Sequence, residues 1–238
     1  MIHIEDFTFN AFQTRCCAVW DSEGSCAFVD PGCSSAAELS KLTDLVSSRG
    51  LKPVCIMLTH AHFDHIYGVT ALSEHYGGLP VYMHPEEAYT IEKTNPYVCK
   101  AFGLPLPDVS FAQPLLNGTT EPTESEQTLR SVSDGDIIEV GDLKFRVLET
   151  PGHSRGGVCF YEEAEDILFS GDTLFAGAIG RTDHPGGDYD QLMKSILEKV
   201  VTLEGKVRVI PGHGPCSDIA TEGMTNPFLL PFNEPFDE

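Results

Sequence analysis

The chain has 238 residues, 41% of them hydrophobic and 9% aromatic, enough for a sizeable core, and no apolar run approaches the ~18 to 20 residues needed to span a bilayer. Fifteen Lys plus Arg stand against 36 Asp plus Glu, a formal net charge of −21. So acidic a chain repels phosphate backbones, which counts against nucleic acid as a partner. Met1 to Asn10 carries neither a basic n-region nor a continuous apolar run, so no secretory signal is expected and the expected location is cytoplasmic. Eight cysteines form no C-x-x-C pair and sit mostly beside apolar neighbours, as in Val54-Cys55-Ile56, which points to buried free thiols.

Strands and helices alternate along the chain. Phe7 to Phe12, Cys16 to Trp20 and Cys26 to Val29 read as short strands, with turn residues at 21–24 and a stop at Asp30-Pro31-Gly32. Leu39, Leu42, Leu45 and Val46 recur at helical spacing before Gly50. Val54 to Leu58 is a continuous apolar run, the pattern of a strand covered on both faces. A helix is expected through Tyr76, and Val81 to Met83 reads as a further strand. Residues 113–135 are rich in Thr, Glu, Ser, Pro and Gly, and read as a long surface loop or flap. Strands are expected near 137–140, 143–149, 157–161, 166–169 and 207–210, with a helix carrying Leu192, Met193, Ile196, Leu197 and Val200. No repeat or linker divides the chain, so one domain over 1–238 is expected, with 225–238 as a tail.

Five of the nine histidines fall just after apparent strands: His60, His62, His65, His153 and His213. In Thr59-His60-Ala61-His62-Phe63-Asp64-His65, positions 60 and 62 point the same way along an extended segment and reach one metal. A turn at Phe63 brings Asp64 and His65 round toward a second. Imidazole and carboxylate are the donors that borderline divalent metals prefer. Thr150-Pro151-Gly152-His153 and Ile210-Pro211-Gly212-His213 repeat a strand–turn–imidazole pattern, and Asp172 ends a further strand. Structural zinc sites are closed and Cys-rich, so this set points to catalysis.

These residues in this order resemble the metallo-β-lactamase superfamily. The stretch Ser170-Gly171-Asp172-Thr173-Leu174-Phe175, with Gly180-Arg181-Thr182-Asp183, is similar to its glyoxalase II (hydroxyacylglutathione hydrolase) branch. The resemblance covers about Phe7 to Ser217 and implies an α/β fold, a four-layer αββα sandwich with the metals in a cleft at one edge of two packed sheets. It implies two divalent ions, zinc foremost, with iron or manganese as alternatives. One sits on His60, His62 and His153, the other on Asp64, His65 and His213, and Asp172 bridges them. Two such ions bring +4 against −2 from Asp64 and Asp172, which favours a bridging hydroxide that attacks a carbonyl carbon. A thioester suits this chemistry because a thiolate leaves without a general acid, and Asp64 is then the proton carrier.

Four outer residues carry two readings each. Asp30 orients a ligand imidazole or simply ends a strand, and Thr59 supports a ligand or is a β-branched strand residue. Arg181 and Asp183 prop the loop after Asp172 or form an exposed ion pair. His3, His75, His84 and His184 read as surface or packing residues, and Cys216 as a bystander thiol. Other activities of the superfamily stay open. Asp172 counts against a β-lactamase. A persulfide dioxygenase would use one iron on His60, His153 and Asp172, and a lactonase is a further possibility. A non-catalytic redox module usually replaces a ligand histidine with glutamate, whereas His62 is present here. Full-length glyoxalase II proteins carry a C-terminal helical domain that helps hold glutathione. Only a short Pro- and Phe-rich stretch follows His213, so the thiol carrier of the expected small-molecule substrate is left open.

Overall fold

The computed structural model describes residues 1–118 and 128–233. The chain opens with β1 (His3–Phe9), β2 (Thr14–Trp20) and β3 (Ser25–Val29), followed by α1 (Ala36–Arg49) and β4 (Lys52–Met57). Then come α2 (Phe63–Ile66), α3 (Val69–His75), β5 (Val81–Met83), α4 (Glu87–Glu92), α5 (Pro96–Ala101), α6 (Gln113–Leu116) and β6 (Leu129–Ser131). The second half runs through β7 (Ile137–Val140), β8 (Leu143–Glu149), β9 (Val158–Glu162), β10 (Ile167–Gly171) and the short hairpin β11 (Leu174–Phe175) and β12 (Ala178–Ile179). Helix α7 (Tyr189–Ser195) continues as a π-turn over Ile196–Val200. β13 (Arg208–Pro211), β14 (Ser217–Asp218), α8 (Ile219–Thr225) and α9 (Leu230–Asn233) complete the order.

Two six-stranded sheets form, in the orders β1-β2-β3-β4-β5-β6 and β14-β13-β10-β9-β8-β7. Side chains alternate across each strand, and the alternation divides the core into three layers. Cys16, Ala18, Cys26, Phe28 and Ile56 face outward onto Leu42, Leu45 and Val46 of α1 and Val69 and Leu72 of α3. Their neighbours Cys17, Val19, Ala27, Cys55 and Met57 face the second sheet and meet Phe145, Val147, Phe160 and Phe169. On the far side Cys159, Tyr161 and Leu168 pack on Leu192, Met193, Ile196 and Val200. Helices outside, two sheets inside: this is the αββα sandwich. Seven cysteines are buried free thiols, and Cys216 is half-buried.

Helix α1 is framed as its sequence requires. Ser35 Oγ accepts the Glu38 N–H, and Gly50 closes the helix in the left-handed region at φ 65°. Several elements differ from the sequence expectation. β1 starts at His3 and ends at Phe9, because Asn10 (φ 52°) and Gln13 (φ 57°) form the turn into β2. The stretch 113–135 is not one loop: α6 and the edge strand β6 bound it, and residues 119–127 lie outside the described residues. The tail is helical over Leu230–Asn233, and 234–238 also lie outside them. No helix among the described residues is long and apolar enough to cross a membrane.

Candidate metal centre

The site is assembled where strand ends from both sheets meet. β4 lies between β3 and β5 in parallel register, and the chain leaves it through Leu58-Thr59 into His60. His62 is still extended (φ −61°, ψ 144°), and Asp64 and His65 fall in the short helix α2 that follows. β10 and β13 run parallel with a register shift between Phe169 and Gly171, so the chain kinks just before Asp172. β13 ends at Pro211 and delivers His213. Three backbone bonds join these exits: Val158 N–H to Thr59 C=O at 2.8 Å, Gly212 N–H to Gly171 C=O at 2.8 Å, and Arg15 N–H to Gly212 C=O at 2.6 Å.

All seven expected ligands converge. The donor atoms of His60, His62 and His153 lie within 4.8 Å of one another, as do those of Asp64, His65 and His213. Asp172 stands between the two sets. Its Oδ1 is 3.5 Å from His65 Nε2, and its Oδ2 is 3.5 Å from both His153 Nε2 and His213 Nε2. Asp30, His60 and His65 form a third group by distance, but donors already surround Asp30. It accepts the Thr59 N–H at 2.8 Å, the Thr59 hydroxyl at 2.6 Å and His65 Nδ1–H at 3.0 Å.

Four of the rings are oriented by a partner on the far nitrogen, which leaves Nε2 for the centre. His60 Nδ1 meets Thr59 Oγ1 at 3.1 Å and His153 Nδ1 meets the Arg181 carbonyl at 2.8 Å. His65 Nδ1 meets Asp30, and His213 Nδ1 meets the Phe12 carbonyl at 3.1 Å. The Thr59 hydroxyl donates to Asp30, so its oxygen is free to accept from His60. Arg181 thus acts through its main chain. Its guanidinium pairs with Asp183 at 2.9 and 3.2 Å in an exposed ion pair, 75% and 71% accessible.

The arrangement fits divalent cations. His60 Nε2 and Asp172 Oδ1 are buried with no hydrogen-bond partner, a costly state for a polar atom unless something else binds it. His62 Nδ1 and His153 Nε2 face each other at 2.9 Å, and His65 Nε2 and His213 Nε2 at 3.3 Å. A Cβ at Gly212 would strike Asp172 Oδ1 and stand 2.7 Å from His65 Cε1, so the glycine keeps the space between these donors clear. Asp30, Asp64 and Asp172 bring three carboxylates together, and among the described residues no Lys or Arg pairs with any of them.

Electrostatics divides the centre into two halves. Burial, reinforced by the neighbouring rings, holds His60 and His153 well below the ordinary imidazole range and pushes His62 down to about 3. These three are neutral, with lone pairs to give. Burial also opposes charge on His65, but the carboxylates of Asp64, Asp172 and Asp30 outweigh it and carry His65 up to about 10. His213 is likewise raised: burial works against its charge, and Asp64 and Asp172 overcome that. Burial works against ionised Asp64 too, yet His65, His213 and the Thr14 hydroxyl hold its pKa below the usual carboxylate range. Asp172 is raised, chiefly by burial.

A cavity of about 600 Å³ opens onto the centre. Phe12, Phe63, Val98 and Phe175 supply apolar wall, and Lys93 and Arg181 supply positive charge.

A model of the metallo-beta-lactamase superfamily matches residues 10–213. The chain belongs to this superfamily. Hydroxyacylglutathione hydrolase GloC of Haemophilus influenzae is 33% identical over 233 residues, which cover 96% of this chain and 98% of GloC. Among solved structures, TTHA1623 in a di-iron-bound form superposes with a TM-score of 0.75 at 37% identity, covering 94% of this chain and 100% of that one. The BLEG-1 B3 metallo-beta-lactamase gives a TM-score of 0.78 at 32% identity, covering 95% and 99%. Membership places the chain among metallo-hydrolases that bind divalent metals, and the strand-end cluster is where this chain offers the donors.

Several site residues carry no sequence signal of their own. Thr14, fifty positions before Asp64, donates its hydroxyl to Asp64 Oδ2 at 2.7 Å. Asn10 Nδ2 holds the Asp64 and Gly32 carbonyls, each at 2.9 Å. Glu87 is one of many acidic residues and nothing in its sequence neighbourhood singles it out, yet it is completely buried. His184, expected at the surface or in packing, lines the cavity and packs edge-on to His62 and His153 with ring centroids 4.7 and 4.9 Å away.

Proposed function

We propose that this chain is a dinuclear metal-dependent hydrolase that cleaves a thioester of a small thiol, acting as a single domain in the cytoplasm. The observation that supports it most is the placement of Asp172, one carboxylate facing both ligand triads. His60, His62 and His153 would hold one ion and Asp64, His65 and His213 the other, with Asp172 shared. Imidazole with carboxylate suits zinc, and also iron or manganese. When bound, such ions supply Lewis acidity and lower the pKa of water from 15.7 to about 7.

The chain's own part is to fix the donors and receive the substrate. Thr59, Asp30, the Arg181 carbonyl and the Phe12 carbonyl hold four imidazoles in one orientation before any substrate arrives. Asp64, steadied by Thr14, faces the cavity and is the carboxylate placed to take a proton from the reacting centre. Lys93 and Arg181 stand over the apolar wall of a cavity in a chain of net charge −21, which favours an anionic thiol carrier drawn to this one mouth. The likeness to GloC along nearly the whole chain supports a hydroxyacyl thioester.

The test follows cleavage of S-D-lactoylglutathione by the purified protein, with bound metal quantified on the same sample. Turnover with about two ions per chain, abolished by His62→Ala, is the expected result. Two ions without turnover would remove glutathione as the carrier, and cleavage of a β-lactam in its place would favour the activity named for BLEG-1. One iron per chain and no thioester turnover would instead move the assignment to persulfide oxidation on His60, His153 and Asp172.

A further inference from the structure

The triad His60, His62 and His153 comes from two chain segments, with His62 and His153 91 positions apart, and neither segment is a regular element at these residues. Something must hold the two in register. The backbone bond from Val158 to Thr59 does so on one side. On the other side stands a single carboxylate. Glu87, at the start of α4, is 0% exposed. Its Oε2 accepts the N–H of Ala61 at 2.7 Å, and its Oε1 accepts the N–H of Gly156 at 2.9 Å. Ala61 is the residue between His60 and His62, and Gly156 lies three residues beyond His153.

We infer that Glu87 is the positioning residue of the first metal triad, a clip that fixes the His60–His62 segment against the His153 loop. The inference rests on the dinuclear reading given above. Its logic is one of acceptors. Two buried N–H groups converge on one side chain, and only a carboxylate of this length offers each an oxygen. An amide offers one oxygen and turns an NH₂ toward the other donor. A leucine offers neither, and leaves two buried donors unpaired.

The seat is also close in space. A Cβ at Gly156 would lie 2.6 Å from His84 Nδ1, 3.0 Å from the Glu87 nitrogen and 3.1 Å from Glu87 Cγ. The His153 loop therefore rests on the start of α4, and its distance from Glu87 is set by the absence of a side chain at 156. A carboxylate stands where burial disfavours its charge. Burial raises the Glu87 pKa, and the Ala61 and Gly156 N–H groups work against that rise. None of its hydrogen bonds reaches the second triad, so its effect should fall on one half of the centre.

The experiment is a chelator-competition titration of zinc into the metal-free full-length chain, resolving the two affinities, with thermal unfolding of the same samples. In Glu87→Gln one affinity is expected to weaken by about 10- to 100-fold, as for loss of an orienting partner, and the other to stay within about threefold. His153→Ala in the same titration identifies which affinity belongs to the first triad. Gly156→Ala, which crowds the loop off its seat on His84 and Glu87 while leaving the carboxylate in the chain, should weaken the same affinity and decides the matter if Glu87→Gln does not fold. Two unchanged affinities in a folded variant, or equal weakening of both, would overturn the inference. A wild-type chain that binds a single ion would overturn the dinuclear reading instead, and the wild-type titration shows this before any variant is made.

Discussion

Asp30 Oδ2 accepts the Nδ1–H of His65 at 3.0 Å, and the two side chains are 2% and 0% exposed. Asp30 also takes both the N–H and the hydroxyl of Thr59, whose oxygen in turn meets His60. One carboxylate therefore orients a ligand of each triad. Asp30→Asn keeps the shape and tolerates the backbone, since asparagine accepts the left-handed φ of 49° found here. It turns an NH₂ toward groups that need an acceptor. The second triad is expected to lose about 10- to 100-fold in metal affinity, and the fold about 1 to 3 kcal/mol from an unpaired buried donor. Chelator competition and urea unfolding measure the two. Unchanged affinity would reduce Asp30 to the turn residue its Asp-Pro-Gly context suggests.

Gly212 makes a separate point about space. Its φ is not in the left-handed region, so alanine carries no backbone penalty there, and the atoms nearest the added methyl belong to Asp172, His65 and the Gly171 backbone. Overpacking of this kind costs about 1 to 3 kcal/mol. The methyl pushes apart the shared carboxylate and a ligand, so Gly212→Ala is expected to fold and yet bind fewer than two ions. Full metal content, measured by elemental analysis of the folded variant, would show that Asp172 and His65 need not approach as they do here.

The candidate donors that converge were legible because each stands at a break in pattern. His60 to His65 follow a run of apolar residues, and His153 and His213 follow Pro-Gly turns that no packing argument requires. The sandwich came from the superfamily resemblance; Cys16, Cys17, Ala18 and Val19 are apolar at every position, so their pattern alone does not show which of them faces which layer. What orients the ligands was less legible. Thr14 and Asn10 reach Asp64 across 50 and 54 positions, and Glu87, beside Glu86, reads like any solvated acid. The partners of His153 and His213 are backbone carbonyls, which every residue possesses. Helices α4 and α5 escaped detection because they are six residues each, shorter than the window over which a periodic face is read.

The two triads differ in their protons, and pH should separate them. Metal-free His65 holds a proton up to about 10, whereas His62, pushed down to about 3, is neutral at pH 7. An ion on the first triad displaces nothing, and an ion on the second must displace at least the His65 proton. Below about pH 10 the affinity of the second triad therefore falls about tenfold for each unit of acidification, and the first stays flat across neutral pH. Titration calorimetry in two buffers of different ionisation heat counts the protons. Equal release by both ions would mean that Asp64, Asp172 and Asp30 do not keep His65 charged.

Arg181 joins two roles that a substitution can pull apart. Its carbonyl holds His153, and a side-chain change leaves that bond in place. Its guanidinium lines the cavity and, among the described residues, pairs with the exposed Asp183, a pair well screened by solvent. Arg181→Ala should thus leave metal content and thermal stability as they are. If the guanidinium meets an anionic carrier, KM for the thioester rises by about tenfold, the worth of one charge-assisted hydrogen bond of roughly 1.5 kcal/mol, and kcat changes little because the scissile carbonyl lies at the ions. Steady-state kinetics on glutathione thioesters at low and high salt separates the outcomes. An unchanged KM at both would leave Lys93 as the cation that the substrate meets, while lost metal would show that the side chain, not the carbonyl alone, holds the loop at His153.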